Sequence, residues 1–236
     1  MRLDKVLANQ GFGSRKDVKK LIKKGKVQVD GKAIKDSSFH VNPNESEIIV
    51  NGKVLNYRDY IYLMMNKPKG VISATHDRVE TCVTDLLDEE YQPFSLFPVG
   101  RLDKDTVGLL MLTNDGELAH RLLSPQHHVE KIYEAEIKGL VTEQDVQAFK
   151  EGITLDDGYV TKPAQLTILD ANDVSYVRIN ITEGKFHQIR RMFSALGHKV
   201  EELKRLQMGS LVLDGALDLG EYRELTEDEL KHLQAH

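Results

Sequence analysis

Residues 100–117 read GRLDKDTVGLLMLTNDGE, an apolar run with carboxylates crowded at both ends. Several chemistries could use Asp103, Asp105, Asp115 and Glu117. Hard divalent cations want several carboxylates, so these residues could hold a metal, as a nuclease cutting a phosphodiester would require. Asp103 and Asp105 could instead act as an acid/base pair on a glycosidic bond. Asp115-Gly116 equally suits a turn or a helix cap, which needs no catalysis. His127-His128 invites a metal reading. Neighbouring residues on a strand point to opposite faces, however, and no Glu-x-x-His or Cys/His cluster supports the pair, so no metal site is expected. The run GKFHQIRRM at residues 184–192 opens a helix whose first turn, around His187, could face a phosphate.

The elements that must hold these residues are partly legible. Ile61 to Met65 reads as a buried strand halted by Pro68 and Gly70, and Leu109 to Leu112 reads as another. Arg101 and Asp103 would then stand at the mouth of a sheet. Tyr133 to Ile137 and Val174 to Ile181 alternate as half-buried strands. His187 to Leu196 reads as a helix with Ile189, Met192, Phe193 and Leu196 inward. Thr226 with Glu229 forms a capping box for a C-terminal helix. There is no regular alternation of strand and helix. The expected class is α+β, with a largely antiparallel mixed sheet flanked by helices.

Charge divides the 236-residue chain. The net charge is −5, yet residues 1–58 carry +7 and the remainder −12. A basic segment on an acidic body suggests a module that binds a polyanion. Leu3, Val6 and Leu7 mark a short helix. Ser14, with Asp17, caps a second helix from Arg15 to Lys24. On it Lys16, Lys19, Lys20, Lys23 and Lys24 share one face, opposite Val18, Leu21 and Ile22. Like charges so placed repel each other unless phosphates neutralise them. Val27 to Val29 with Asp30-Gly31, and Glu47 to Leu55 around Asn51-Gly52, read as hairpins. Arg2-Leu3-Asp4-Lys5, Ser14-Arg15 with the lysines, and Val27-x-Val29-Asp30-Gly31 resemble the αL RNA-binding motif shared with a small-subunit ribosomal protein. The expected division is an RNA-binding domain at 1–56, a linker at 57–60 and a catalytic domain at 61–236.

Composition removes other classes. The longest apolar run has five residues, Ile61–Met65, whereas a membrane span needs about 20. Met1-Arg2-Leu3-Asp4-Lys5 lacks the apolar stretch of a secretory signal. The single cysteine, Cys82, can form neither an internal disulfide nor a thiolate cluster, and the expected location is the cytoplasm.

Three blocks together resemble the bacterial pseudouridine synthases of the small-subunit (16S) ribosomal RNA type. They are Gly100-Arg101-Leu102-Asp103-x-Asp105-Thr106-x-Gly108-Leu109, Ser124-Pro125 through Lys131-x-Tyr133, and Glu183-Gly184-x-x-His187-Gln188-Ile189-Arg190-Arg191-Met192. Weaker agreement lies in Asn66 to Gly70, Thr161 to Ala164 and Gly220 to Arg223. The resemblance implies an isomerase that detaches uracil from N1, rotates it and rejoins it through C5, with no cofactor. It implies Asp103 as the catalytic carboxylate and Arg101 as the arginine that fills the place the flipped base vacates. Tyr133 would pack on the uracil, and Arg190, with Arg191 as the alternative, would pair with the carboxylate. Arg15 and the five lysines of the basic helix would bind RNA backbone, as would Lys185, His187 and Arg191. The implied partner is ribosomal RNA, 16S first and 23S as the alternative, naked or within an assembly intermediate, acted on by a monomer. A non-catalytic RNA-binding assembly factor is the reading outside enzymology.

Overall fold

Leu3, Val6 and Leu7, spaced for one helical face, are fully buried in α1 (Leu3–Asn9). Ser14 and Asp17 close the expected capping box at the start of α2 (Arg15–Lys23). This helix ends one residue before the expected Lys24, which serves as its C-cap. Val18 and Ile22 turn inward from α2. Two tight hairpins follow, β1 (Val27–Val29) with β2 (Lys32–Ala33) and β3 (Ile48–Val50) with β4 (Lys53–Val54), in sheet order β2-β1-β3-β4. Their turns, Asp30-Gly31 and Asn51-Gly52, have both residues at positive φ, as a two-residue hairpin requires.

The computed structural model describes residues 1–235 and divides them into two compact units. Residues 1–61 and 87–96 form one, and 62–86 with 97–235 form the other. Residues 57–60, expected as a linker, lie within the first unit. There the Gln10 amide donates to Arg58 O at 2.8 Å and accepts from Arg58 N at 3.1 Å.

The larger unit is built on nine strands. In chain order its elements are β5 (Tyr62–Lys67), β6 (Phe97–Pro98), β7 (Val107–Thr113), α3 (Gly116–Leu123), β8 (Lys131–Lys138), α4 (Glu143–Glu151), β9 (Gln165–Asp170), β10 (Val174–Ile181), α5 (Gln188–Ala195), β11 (Lys199–Met208), β12 (Leu211–Val212), β13 (Tyr222–Glu224) and α6 (Glu227–Gln234). The main path runs β13-β5-β7-β11-β8-β10-β9, with β6 on β7 and β12 on β11. Every strand pairing is antiparallel except β7 with β11. The unit is thus the mixed, largely antiparallel sheet expected.

Leu109 to Leu112 of β7 are fully buried, because this strand lies inside the sheet with both faces covered. Ser175, Val177, Ile179 and Ile181 alternate inward along β10. Leu118 and Leu122 of α3 and Leu233 of α6 share a core with Met64, Leu109, Met111 and Met208. Phe149 of α4 meets Phe193 of α5 with ring centres 4.9 Å apart. Seven elements of this unit have no counterpart in the sequence reading: β6, β9, β12, β13, α3, α4 and β11. The middle of the sheet depends on the last of them.

Candidate active site

Asp103 sits in the loop that enters β7, and that loop is tied at several points. Leu102 N donates to Ser73 Oγ at 3.0 Å, and Ser73 Oγ donates back to Leu102 O at 3.1 Å. Thr106 N donates to Asp103 O at 3.0 Å, closing a turn around the carboxylate. Beneath it the buried Lys67 ammonium donates to Pro68 O at 2.9 Å, Lys104 O at 3.3 Å and Thr106 O at 2.9 Å. Burial pulls this ammonium down to about 8, while Asp103 and Asp105 push the other way. Its three carbonyl acceptors also suit the charged form. Lys67 is therefore a brace for the Asp103 loop, and the sequence reading did not single it out.

Gly108 lets β7 and β11 approach. Its φ is +104°, and a Cβ there would stand 2.2 Å from Arg205 O and 2.8 Å from Arg205 N. Both neighbours are backbone, so no side chain could yield. Beside this contact β8 carries Tyr133, which faces Arg205 across one ladder and Ile179 across the other. Tyr133 is 8% exposed.

Asp103, Arg101, Tyr133, Lys185, His187 and Arg205 line one open cavity of about 680 Å³. That volume suits a nucleoside rather than a solvent-sized void. A small adjoining recess of about 70 Å³ is bounded by Asp103, Thr106, Tyr133 and Arg190. Arg101 is exposed at the rim and makes no side-chain hydrogen bond or ion pair among the described residues. The residues expected at the site thus converge, with one change of partner. The side chain closest to ion-pairing with Asp103 is His187, whose Nε2 lies 3.5 Å from Asp103 Oδ1. Arg190, expected to pair with Asp103, instead donates to Val200 O at 3.2 Å. His187 holds its position through a left-handed backbone, φ +48°, just before α5, and its ring stacks on Phe186 at 3.9 Å.

Two of the three residues expected to touch phosphates from this region are at the cavity. Lys185 is exposed, its ammonium 4.7 Å above the Tyr159 ring, and His187 lies beside Asp103. Arg191 is differently engaged. Its guanidinium pairs with Asp156 at 2.5 Å and Asp157 at 2.8 Å and donates to Phe186 O at 3.2 Å. Its charge is already neutralised, so it serves the loop rather than standing free for a phosphate.

Of the other candidate acidic residues, Asp115 has structural work. Asp115 caps α3 by accepting from Leu118 N at 3.0 Å, and it accepts from Tyr62 Oη at 2.8 Å. It belongs to a helix start, not to a cluster with Asp103. His128 has a left-handed backbone, φ +47°, and its Nδ1 meets Lys162 Nζ at 3.2 Å. Among the described residues no three His, Cys, Asp or Glu side chains converge as ligands would. Cys82 is buried and free.

Two cavity cations escaped the sequence reading. Lys131 of β8 donates to Val129 O at 3.0 Å, and burial together with Arg205 pulls its ammonium down to about 8. Arg205 of β11 is 2% exposed. The only sequence signal for either was the Lys131-x-Tyr133 spacing, which places both side chains on one face of a strand.

In the N-terminal unit Arg15, Lys16, Lys19, Lys20, Lys23 and Lys24 are all exposed. None makes a side-chain hydrogen bond or ion pair among the described residues. The face is positively charged and unneutralised.

Comparison with known proteins converges on one family. Residues 61–195 match the model of the RNA pseudouridylate synthases, and residues 1–46 match that of the S4 domain. Over 98% of its length the chain is 53% identical to 97% of YtzG, described as an uncharacterized RNA pseudouridine synthase of Bacillus subtilis (strain 168). It is 40% identical to ribosomal large subunit pseudouridine synthase B of the same strain, over 99% of this chain and 96% of that one. It is 38% identical to ribosomal small subunit pseudouridine synthase A of Escherichia coli (strain K12), over 98% of each. A solved structure titled as a crystal structure of pseudouridylate synthase superposes with a TM-score of 0.69 at 38% identity, covering 99% of both chains. With the cavity around Asp103 and the basic N-terminal unit, these matches make the chain an RNA pseudouridine synthase carrying an S4 domain.

Proposed function

We propose that the protein converts a specific uridine of 16S ribosomal RNA to pseudouridine, with Asp103 as the catalytic carboxylate. The observation that carries the reading is the convergence of Asp103, Arg101 and Tyr133 on one cavity of nucleoside size. The S4 domain with its unneutralised lysines anchors RNA backbone, and the target nucleotide flips into the cavity. Flipping costs a few kcal/mol of unstacking. Tyr133 recovers part of it by stacking on the uracil, worth about 1–3 kcal/mol. Arg101, free at the rim, fills the vacated position with a planar guanidinium that can stack and hydrogen-bond. Asp103, held by the braced loop, meets the positive character that develops at C1′ as the glycosidic bond breaks. Isomerisation neither oxidises the substrate nor donates a group to it, so the residues named suffice without a cofactor.

Small-subunit enzyme A aligns over 98% of each chain, consistent with 16S RNA as substrate, and large-subunit enzyme B aligns over a comparable span. The 40% identity to large-subunit enzyme B makes 23S RNA the second reading. Transcripts of both RNAs, tritiated at uracil C5, distinguish them, because bond formation at C5 expels the label. Release is expected from 16S and not from 23S, and it should vanish in Asp103→Asn while RNA affinity stays within about 2-fold. Release from 23S alone would move the substrate. Undiminished release by Asp103→Asn would remove Asp103 from the mechanism. Release from neither naked RNA, nor from a small-subunit assembly intermediate, would leave an RNA clamp.

A further inference from the structure

Arg205 is a buried cation with unused donors. Its Nε donates to Leu109 O at 2.8 Å. That is its sole side-chain hydrogen bond among the described residues, and Nη2 is buried without a partner. No carboxylate pairs with it among the described residues. Lys131, which lines the same cavity, deepens the positive charge. The carboxylate that acts on Lys131, Glu183, is itself taken up by Tyr159 Oη at 2.7 Å, Lys162 N at 2.8 Å and Gln188 Nε2 at 2.8 Å. A guanidinium held at 2% exposure without a counter-ion is costly to maintain. Packing and the single bond to Leu109 would be met by a neutral side chain.

The position says what the charge faces. Arg205 is the cross-strand partner of Tyr133, and both line the cavity with Asp103. On the reading that Tyr133 stacks on the flipped uracil, Arg205 lies where an edge of that ring would be. Phosphates would follow the exposed rim cations, Arg101 and Lys185, rather than a buried wall. Uracil itself is neutral. It becomes anionic only when the C1′–N1 bond breaks and the bonding pair stays on the ring, spread over its carbonyl oxygens. C5 then bonds C1′, the C5 proton is lost and N1 gains a proton, so the product is an isomer.

We propose that Arg205 is a catalytic residue of the isomerisation, its free guanidinium N–H groups donating to a uracil carbonyl oxygen as negative charge builds on the departing base. Lys131 acts through Arg205, as a positioning residue that keeps this wall of the cavity positive. This inference rests on the proposed uridine site and adds the group that stabilises the leaving base.

The test is single-turnover kinetics at saturating full-length enzyme, with RNA containing uridine or 5-fluorouridine, followed by nuclease digestion and chromatography of the remaining nucleoside. Removing a donor to developing charge should lower the uridine rate of Arg205→Met about 100-fold, with RNA Kd within about 2-fold of wild type. Fluorine stabilises the departing anion, so the penalty should shrink several-fold on 5-fluorouridine, which a structural defect would not produce. Arg205→Lys keeps the charge and should lose about 10-fold, again less on 5-fluorouridine. If Arg205→Met melts out of the folded state, the Lys variant carries the same comparison. Equal penalties on the two substrates would overturn the proposal, as would an unchanged rate. Loss confined to Kd, with a shallower salt dependence, would overturn it in favour of a phosphate contact. Wild-type protein that consumes neither nucleoside would instead overturn the uridine site on which the proposal stands.

Discussion

Tyr133 and Lys131 sit two residues apart on one strand face, yet they test different things. Replacing Tyr133 with Leu keeps bulk and removes the ring, so the saturating single-turnover rate should fall about 10–100-fold. An undiminished rate would mean that the uracil stacks elsewhere. Lys131 speaks to pH. Folding lowers its ammonium from the ordinary 10.5 to about 8, chiefly through burial and then through Arg205. Between those values the unfolded chain binds more protons than the folded one. Stability therefore rises with pH across that window, by at most about 1.4 kcal/mol per pH unit from this group, and the full penalty applies below about pH 8. Lys131→Met abolishes the penalty. Its stability advantage in denaturant titrations should be largest near neutrality and shrink toward about pH 10. A constant difference from wild type across that range would show that Lys131 titrates normally.

At the scale of elements, the close approach of β7 and β11 is the most brittle contact near the cavity. Gly108→Ala forces a methyl onto the Arg205 backbone and into a left-handed conformation, and should cost about 2–4 kcal/mol of unfolding free energy. A melting temperature equal to that of wild type would show that the strands can separate at no cost. This contact also shows what the sequence could reveal. Elements with local signals were legible: the Ser14–Asp17 box starting α2, the Thr226–Glu229 box starting α6, the two positive-φ turns, and the alternation of β10. Helix α4 had such a signal, Thr142 with Asp145, and was overlooked. Asp115 was legible as a turn or cap, but the helix behind it was not recognised. Strand β11 was hidden for a physical reason. Its sequence, KVEELKRLQM, is charged enough to suit a helix, and bulges at two points break its alternation. What makes it a strand is the pair of neighbours it joins, which a local pattern does not contain. The family motifs located Asp103, Arg101 and Tyr133. Arg205 had no motif of its own and became visible only once β11 lay beside β8.

At the scale of the whole molecule, the basic N-terminal unit and the acidic catalytic unit divide affinity from chemistry. Changing Lys19, Lys20 and Lys23 together to Gln should weaken RNA binding and flatten the dependence of log K on log salt by about 2–3, since three phosphate contacts are lost. The rate at saturating enzyme should stay near that of wild type. An unchanged slope would mean that this face of α2 meets only water. The charge asymmetry along the chain also predicts that RNA lies across the lysines first, because residues 59–236 carry a net −12.

The strand order fixes when the enzyme can begin to work. Asp103 enters the sheet on β7 and Tyr133 on β8, and these strands do not touch; β11 lies between them. A chain growing on the ribosome therefore exposes both residues long before it can bring them together. The two halves of the sheet are separate hairpin-like pieces until Lys199–Met208 slides in, parallel to one and antiparallel to the other. Contacts so distant along the chain form late and slowly. The joining of the two halves thus waits on a single insertion rather than growing by degrees. A chain cut after Ala195 keeps both residues but lacks the strand that joins β7 to β8, and it is expected to release no tritium from either RNA.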